Sequence, residues 1–342
     1  MASDITRLEE DLTRNALGFL RRAISQIKKA RVDRQELAFA VVDLAVSVEV
    51  LLKARLSREH WTLILKDVNK ADARALMNGE SLTVTPSDAV ERLVRISQLP
   101  LKETDSRTNK SHAGQVDELV RLRNRAAHFN FEGADPVSIR GTLAVGLNFV
   151  LWFLDQEFRS QGQAEFSGVR QMVEELIEDA ARELGGIEEL VRERLASLAD
   201  ELAEADILLE CPRCTQFTLM IGEGVEARCP FCRAPGANAE DIAGNYLEEI
   251  LGLSAYEVIK NGGDWPLHDC PNCGAETLVE GIQPEGQQVA AEVPHEGESD
   301  YRWGCFACGY LARVDDLMRC DRCGRLNEHP TCPDCFANLL AD

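Results

Sequence analysis

Two sets of residues in this sequence have types and spacing that could do chemistry. The first lies in L-V-R-L-R-N-R-A-A-H-F-N, Leu119 to Asn130, where Arg123, Asn124 and His128 close a helical pattern. An arginine neutralises a phosphate in fork geometry, and a histidine titrates near working pH. An asparagine beside them can orient a ribose or a phosphate. These are the groups a ribonuclease needs when it works without metal. On an ideal helix Arg123 and His128 are about 140° apart, whereas Arg121 lies nearly in line with His128. Arg121 is therefore an understudy for Arg123 unless the helix ends before His128, and Arg121 and Arg125 are candidates for substrate contact. The plain competing reading is a helix-end histidine beside solvated arginines.

The second set is the cysteines. All twelve lie beyond residue 210 and all fall in C-x-x-C pairs: Cys211/Cys214, Cys229/Cys232, Cys270/Cys273, Cys305/Cys308, Cys320/Cys323 and Cys332/Cys335. A C-x-x-C turn aims two thiolates at one metal, and a second turn completes a tetrahedron. Taken in order, the pairs make three four-cysteine sites, with 14, 31 and 8 residues between their halves. Six consecutive pairs in a chain with no expected signal peptide mean metal and not a disulfide scaffold. Four closed thiolates leave no open coordination position, so the expectation is three structural zinc ions and no cofactor for catalysis. C-P-R-C-T-Q-F-T-L-M-I and C-P-N-C-G-A-E-T-L-V-E place Thr-Leu at the same offset, as a strand leaving a knuckle would. These modules resemble zinc ribbons. Pairing crossed between neighbouring sites stays open at this stage, and His268 and His329, near knuckles, are read as bystanders.

The elements that must position these groups are helical first and β-rich later. Residues 5–31 carry apolar positions at helical spacing, with Asp4 as N-cap. A second helix runs from about Asp33 to Leu56 and is apolar around most of its circumference, so it should be central in a bundle. Glu49 and Lys53, four apart on it, read as a solvated pair. Short helices are expected over Glu59–Leu65 and Ala71–Met77, then one capped by Ser87-Asp88 that runs to about Ile96. The Arg-His helix spans about Gly114 to Ala127, a break falls at Gly133 to Pro136, and an apolar helix spans Pro136 to Phe158. Residues 166–208 read as two helices with an acidic outer face, separated by Gly185-Gly186.

Charge divides the same way. Residues 1–160 hold 24 Lys and Arg against 22 Asp and Glu, and residues 161–342 hold 13 against 36. The first part tolerates RNA near its surface, whereas the second repels it. Zinc in four-thiolate sites adds about −2 at each. The ribbons are therefore expected to touch protein, either a partner or the chain's own N-terminal domain. The longest uncharged run, Gly141 to Leu154, is too short to span a bilayer, so no membrane is expected and the location expected is cytoplasmic.

Residues 1–160 resemble HEPN domains, small helical bundles that include many RNA-cleaving toxins and antiviral nucleases. The resemblance rests on the apolar second helix ending S-V-E-V-L-L-K-A-R-L and on R-N-R-A-A-H, which fits the family's R-N-x-x-x-H signature at Arg123, Asn124 and His128. It implies a homodimer through the helical domain, with two copies of the signature meeting in one composite site, and RNA as substrate. The 2′-hydroxyl of a ribose would attack the adjacent phosphate, leaving a 2′,3′-cyclic phosphate and a 5′-hydroxyl. His128 would act as general base or acid, Arg123 would stabilise the phosphorane, and Asn124 would position.

The expected architecture is a HEPN-like all-α bundle over 1–160 and an acidic helical connector over 161–209. Zinc ribbon 1 follows over 210–236, a short helical linker over 237–266, ribbon 2 over 267–314 and a third knuckle or ribbon over 315–342. The expected function is a metal-independent endoribonuclease in toxin or antiviral defence, with ribbons for regulation or partner docking. The alternative is a non-catalytic dimerisation or binding module whose ribbons dock a protein. A weaker third reading is a ribbon scaffold within an RNA-processing or transcription complex.

Overall fold

The computed structural model describes residues 5, 7–30, 33–104, 110–128, 135–159, 167–233, 238–263, 265–284 and 301–341. The expected Asp4 cap and part of the break before Pro136 lie outside these residues. The chain divides into two compact units, Met1–Ser197 and Leu198–Asp342.

The first unit is all helical. Helix α1 (Leu8–Lys29) buries Ala16, Leu17, Leu20, Ala23, Ile24 and Ile27, a stripe at three-to-four residue spacing. It packs against α2 (Arg34–Glu59), whose N-cap Asp33 accepts from the Gln35 and Glu36 amides. Helix α2 is the central rod, with Leu37, Val41, Leu44, Val48, Leu51 and Leu52 all buried. The Ser47 hydroxyl donates to the Ala16 carbonyl at 2.9 Å, which small residues on both helices permit. After the short α3 (Ala73–Met77), α4 (Pro86–Ile96) opens two residues earlier than the expected Ser87-Asp88 cap. Thr85 is the cap: its hydroxyl takes the Asp88 amide, the Asp88 carboxylate takes the Thr85 amide, and Pro86 sits at the first helical position.

Helices α5 (His112–His128) and α6 (Pro136–Leu154) complete the wall behind α2. A Cβ on Gly146 of α6 would lie 3.0 Å from Leu44 and 3.3 Å from Leu119, so a missing side chain lets α2, α5 and α6 converge. Helix α6 continues as one wide turn over Asp155–Arg159. The whole stretch Pro136–Arg159 is long and apolar enough to cross a membrane by length and composition. Leu143, Leu147, Val150, Phe153 and Leu154 are nonetheless buried in the bundle core, as the middle helix of a bundle requires.

Helices α7 (Ser167–Gly185) and α8 (Glu188–Leu202) occupy the stretch expected as an acidic helical connector. Val173, Leu176, Ile177, Leu184, Ile187 and Leu190 belong to the same buried cluster as α1 and α2, so the boundary expected near 160 lies inside the first unit. The acidic face is the outer face of a further layer. Arg140 fastens that layer. Its Nε and Nη2 grip the Glu189 carboxylate at 2.6 and 2.8 Å, and its Nη1 donates to the Ile27 and Ala30 carbonyls at the end of α1. The bidentate bond to Arg140 holds the Glu189 carboxyl below its usual range against the opposing effect of burial.

Arg140→Ala leaves a half-buried carboxylate and two helix-end carbonyls unmatched, an expected loss of about 2–4 kcal/mol in urea titration. A carboxyl depressed in the folded state stabilises above its unfolded value of about 4.3, and that contribution fades as pH falls through the lower folded value. The stability gap between the parent and Glu189→Gln should therefore be full at pH 7 and close progressively in acid.

The second unit carries three antiparallel sheets. The first is β1 (Ile207–Glu210), β2 (Phe217–Gly222) and β3 (Val225–Arg228) in sequential order. The second is β4 (Leu267–Asp269), β5 (Glu276–Glu280), β6 (Tyr301–Cys305) and β7 (Leu311–Arg313), also sequential. The third is the two-stranded β8 (Met318–Arg319) with β9 (Leu326–Asn327), followed by helix α11 (Pro333–Ala341). Between the first two sheets stand α9 (Ala239–Glu249) and α10 (Ala255–Lys260).

The expected linker over 237–266 is thus partly core. Tyr246 of α9 is fully buried, its ring lies 5.4 Å from Phe306, and its hydroxyl accepts the Gln283 amide at 3.0 Å. The first two sheets also join directly, since the Gly224 and Ala227 amides donate to the Cys308 and Phe306 carbonyls, each at 2.8 Å.

Candidate functional site

The cysteines assemble in chain order. Cys211, Cys214, Cys229 and Cys232 form one cluster, Cys270, Cys273, Cys305 and Cys308 a second, and Cys320, Cys323, Cys332 and Cys335 a third. Within each cluster all sulfurs lie within 4.8 Å of one another. The Sγ···Sγ separations include 3.9 Å for Cys211 and Cys232, 3.7 Å for Cys214 and Cys229, 3.7 Å for Cys273 and Cys305, and 3.6 Å for Cys323 and Cys332. A tetrahedron of sulfurs about 2.3 Å from zinc has edges of about 3.8 Å. Disulfide sulfurs stand about 2.05 Å apart, so these are unbonded thiols gathered at ligand spacing. Each cluster is suited to hold one structural zinc ion, and pairing in order replaces the crossed alternative.

The turn that aims each pair is built from backbone. The amides of Thr215, Arg233, Gly274, Gly309 and Gly324 donate to the carbonyl four residues back, at Cys211, Cys229, Cys270, Cys305 and Cys320, over 2.8–3.0 Å. All five closing residues have positive φ, between 50° and 75°. The sixth pair closes instead into α11, where the Phe336 amide bonds the Cys332 carbonyl at 2.9 Å. This turn leaves amides facing sulfur. Bonds from the Cys332, Cys323 and Arg322 amides pull the Cys320 thiol down to about 6. Cys305 falls to about 4, first through its bond from the Cys270 thiol and, against burial, through Thr277 and the Cys308 and Ala307 amides. Thiolate is the form a metal takes.

Burial differs between centres. All four cysteines of the first are buried, whereas Cys273 and Cys323 are exposed and Cys308 and Cys335 half-buried. No histidine enters a cluster among the described residues. His268 Nε2 instead lies 3.8 Å from Glu280, with its ring 5.5 Å from Trp303, and the His329 amide bonds Asn327.

The Arg-His helix, α5, stays helical through His128. Arg121 and His128, seven residues apart, therefore share one exposed stripe, and Asn124 and Arg125 are exposed as well. Arg123 takes another course. It is half-buried against α2, with Nη2 4.0 Å from Glu49 Oε2, and its buried Nε has no hydrogen-bond partner among the described residues.

Glu49 in turn holds Lys53 at 2.6 Å, and Lys53 reaches the Thr83 hydroxyl at 2.9 Å. The pair read from sequence as solvated is largely enclosed, with side chains 27% and 12% exposed. Glu49 and Lys53 are thus the residues sequence reasoning undervalued. Their four-residue spacing was visible, but Thr83 and Arg123, which enclose them, come from distant segments.

The fold and sites define a helical bundle followed by small antiparallel sheets bearing three four-cysteine metal centres. No protein-family model, curated protein or solved structure matches the chain.

Proposed function

We propose that this chain is a HEPN-like, metal-independent endoribonuclease of toxin or antiviral defence, acting in the cytoplasm as a homodimer through its helical unit. Its zinc-bearing unit serves regulation or partner docking. The observation that carries the reading is R-N-x-x-x-H on a late helix of an all-helical bundle, with Asn124 and His128 open to solvent and Arg123 braced by Glu49. His128 of one protomer takes the 2′-hydroxyl proton, and its counterpart in the second protomer protonates the departing 5′-oxygen. The arginines stabilise charge building on the phosphorane. The Glu49–Lys53 pair fixes where Arg123 can stand.

A second reading has its own observation. Arg123 turns toward α2 while His128 faces outward, a separation that suits a non-catalytic binding module whose ribbons dock a protein. The test incubates purified protein and its His128→Ala form with total RNA in EDTA, maps the ends, and checks zinc content alongside. His128→Ala should lower cleavage by about 10²–10⁴-fold with fold and dimer intact. Arg121→Ala and Arg123→Ala then identify the working arginine. No cyclic-phosphate ends from the parent, with zinc retained, would reject the nuclease and leave the binding module.

A further inference from the structure

The first two metal centres share a feature that the third lacks. Thr218 is fully buried, and its Oγ1 lies 3.1 Å from Cys229 Sγ. Thr277 is 1% exposed, and its Oγ1 lies 3.2 Å from Cys305 Sγ. Each threonine stands seven residues after the first cysteine of its centre, and each reaches the first cysteine of the second knuckle. Two separate sheets thus build the same contact.

A metal-bound thiolate has no proton, so only the hydroxyl can donate. The Thr218 proton has a second possible acceptor, the Gln216 carbonyl at 3.4 Å. The sulfur is nearer and, as a ligand of a site carrying about −2, is the more negative acceptor.

At the equivalent place in the third centre the residue is Asn327, seven after Cys320. It is buried, but its amide donates to the Arg325 carbonyl at 3.3 Å and its oxygen accepts the His329 amide at 3.2 Å. It closes its own hairpin and gives nothing to sulfur. The second and third centres alike expose one cysteine, Cys273 or Cys323, and half-expose another, Cys308 or Cys335.

We infer that the Thr218 and Thr277 hydroxyls are positioning groups that retain zinc at the first and second centres, and that the third centre, without one, is the exchangeable site. A bond donated to a ligand sulfur spreads the charge of the buried site and fixes the ligand's orientation on the metal. Exposure sets the second and third centres apart from the first, because a competing chelator must reach the ion. The three ions therefore leave in order: the third centre, then the second with its exposed Cys273, then the fully buried first.

The test loads the full chain with three equivalents of zinc and follows transfer to a colorimetric chelator in stopped flow. One ion should leave fast and two slowly, and Cys323→Ser should abolish the fast phase alone. Thr218→Val and Thr277→Val should each speed one slow phase by about 10–100-fold, the range found when partners of metal ligands are removed. Thr218→Ser and Thr277→Ser, which keep the hydroxyl, should restore the parent rates. Cobalt in place of zinc gives a second readout, since removing the bond should shift the thiolate-to-cobalt charge-transfer band only for the affected centre. If a valine variant fails to hold three ions while its serine counterpart holds them, the hydroxyl is confirmed as the retaining group. Unchanged release and unchanged cobalt bands in both valine variants would overturn the role of the threonines. Loss of a slow phase in Cys323→Ser would overturn the order.

Discussion

Stripping zinc from the intact chain is expected to unfold residues 198–342 while the helical unit stays folded. The second unit is built from small sheets whose buried cores include the cysteines themselves. Its sheets have three, four and two strands, and sheets this small are marginal in water without added cross-links. Cysteines are themselves core residues here. Cys270 and Cys305 pack in one buried cluster with Leu278, Trp303, Ala312 and Leu317.

Without an ion, four cysteine sulfurs converge with no cation to hold their charged forms together. With an ion, all four are thiolates bound to a cation. Structural zinc contributes about 10–16 kcal/mol of apparent binding free energy at pH 7, against a whole-domain stability of about 5–15 kcal/mol. Withdrawal therefore exceeds what the rest of the unit can offset.

The first unit is independent of this term. Its buried cluster runs from Leu8 to Leu190 and contains no cysteine. A strong chelator should erase the near-ultraviolet signal of Trp303 and open residues 198–342 to protease, with most helical circular dichroism retained. Returning zinc should reverse both changes. Cys229→Ser, in the fully buried first centre, should give much of the same effect without chelator. Protease resistance of 198–342 at zero zinc content would contradict this account.

The metal centres were legible in the sequence because a knuckle is local. Two cysteines three apart and a closing residue of suitable conformation specify most of its geometry. The α4 cap was legible too, since T-P-S-D from Thr85 to Asp88 is a capping box with proline at the first helical position. Ser87-Asp88 drew attention because serine and aspartate are common caps, but Pro86 already has helical φ. The missed features are nonlocal. An acidic outer face on α7 is visible in sequence, but the surface that receives its apolar stripe is α1, more than a hundred residues earlier. Tyr246 looks like a linker aromatic until Phe306 and Gln283 arrive from the second ribbon. The course of Arg123 toward Glu49 depends on how α5 packs on α2, which periodicity alone leaves open.

Gly309→Ala is expected to be the most damaging glycine-to-alanine substitution at any knuckle, and Gly324→Ala is its control. Both glycines follow the second cysteine of a pair, with φ of 72° and 75°. A left-handed residue with a side chain costs about 1–2 kcal/mol, and that charge applies equally to the two. Their surroundings differ. A Cβ at Gly324 meets nothing within 4 Å. A Cβ at Gly309 would lie 1.5 Å from the Gly222 carbonyl oxygen and 2.2 Å from its carbon.

Those are backbone atoms at the end of β2, held by the turn into β3, and no side-chain rotation relieves them. To admit the methyl, the turn at Gly222 must leave the Cys305–Cys308 knuckle. Nearby, the Gly224 and Ala227 amides bond the Cys308 and Phe306 carbonyls, so those two bonds go with it. The first and second ribbons would then part along their shared edge. The expected cost is about 4–5 kcal/mol or more for Gly309→Ala against about 1–2 for Gly324→Ala. Guanidinium unfolding of the zinc-loaded chain, read at Trp303, would measure both. Equal costs would mean that the knuckle conformation alone governs the position, and that the contact with Gly222 carries no weight in joining the two ribbons.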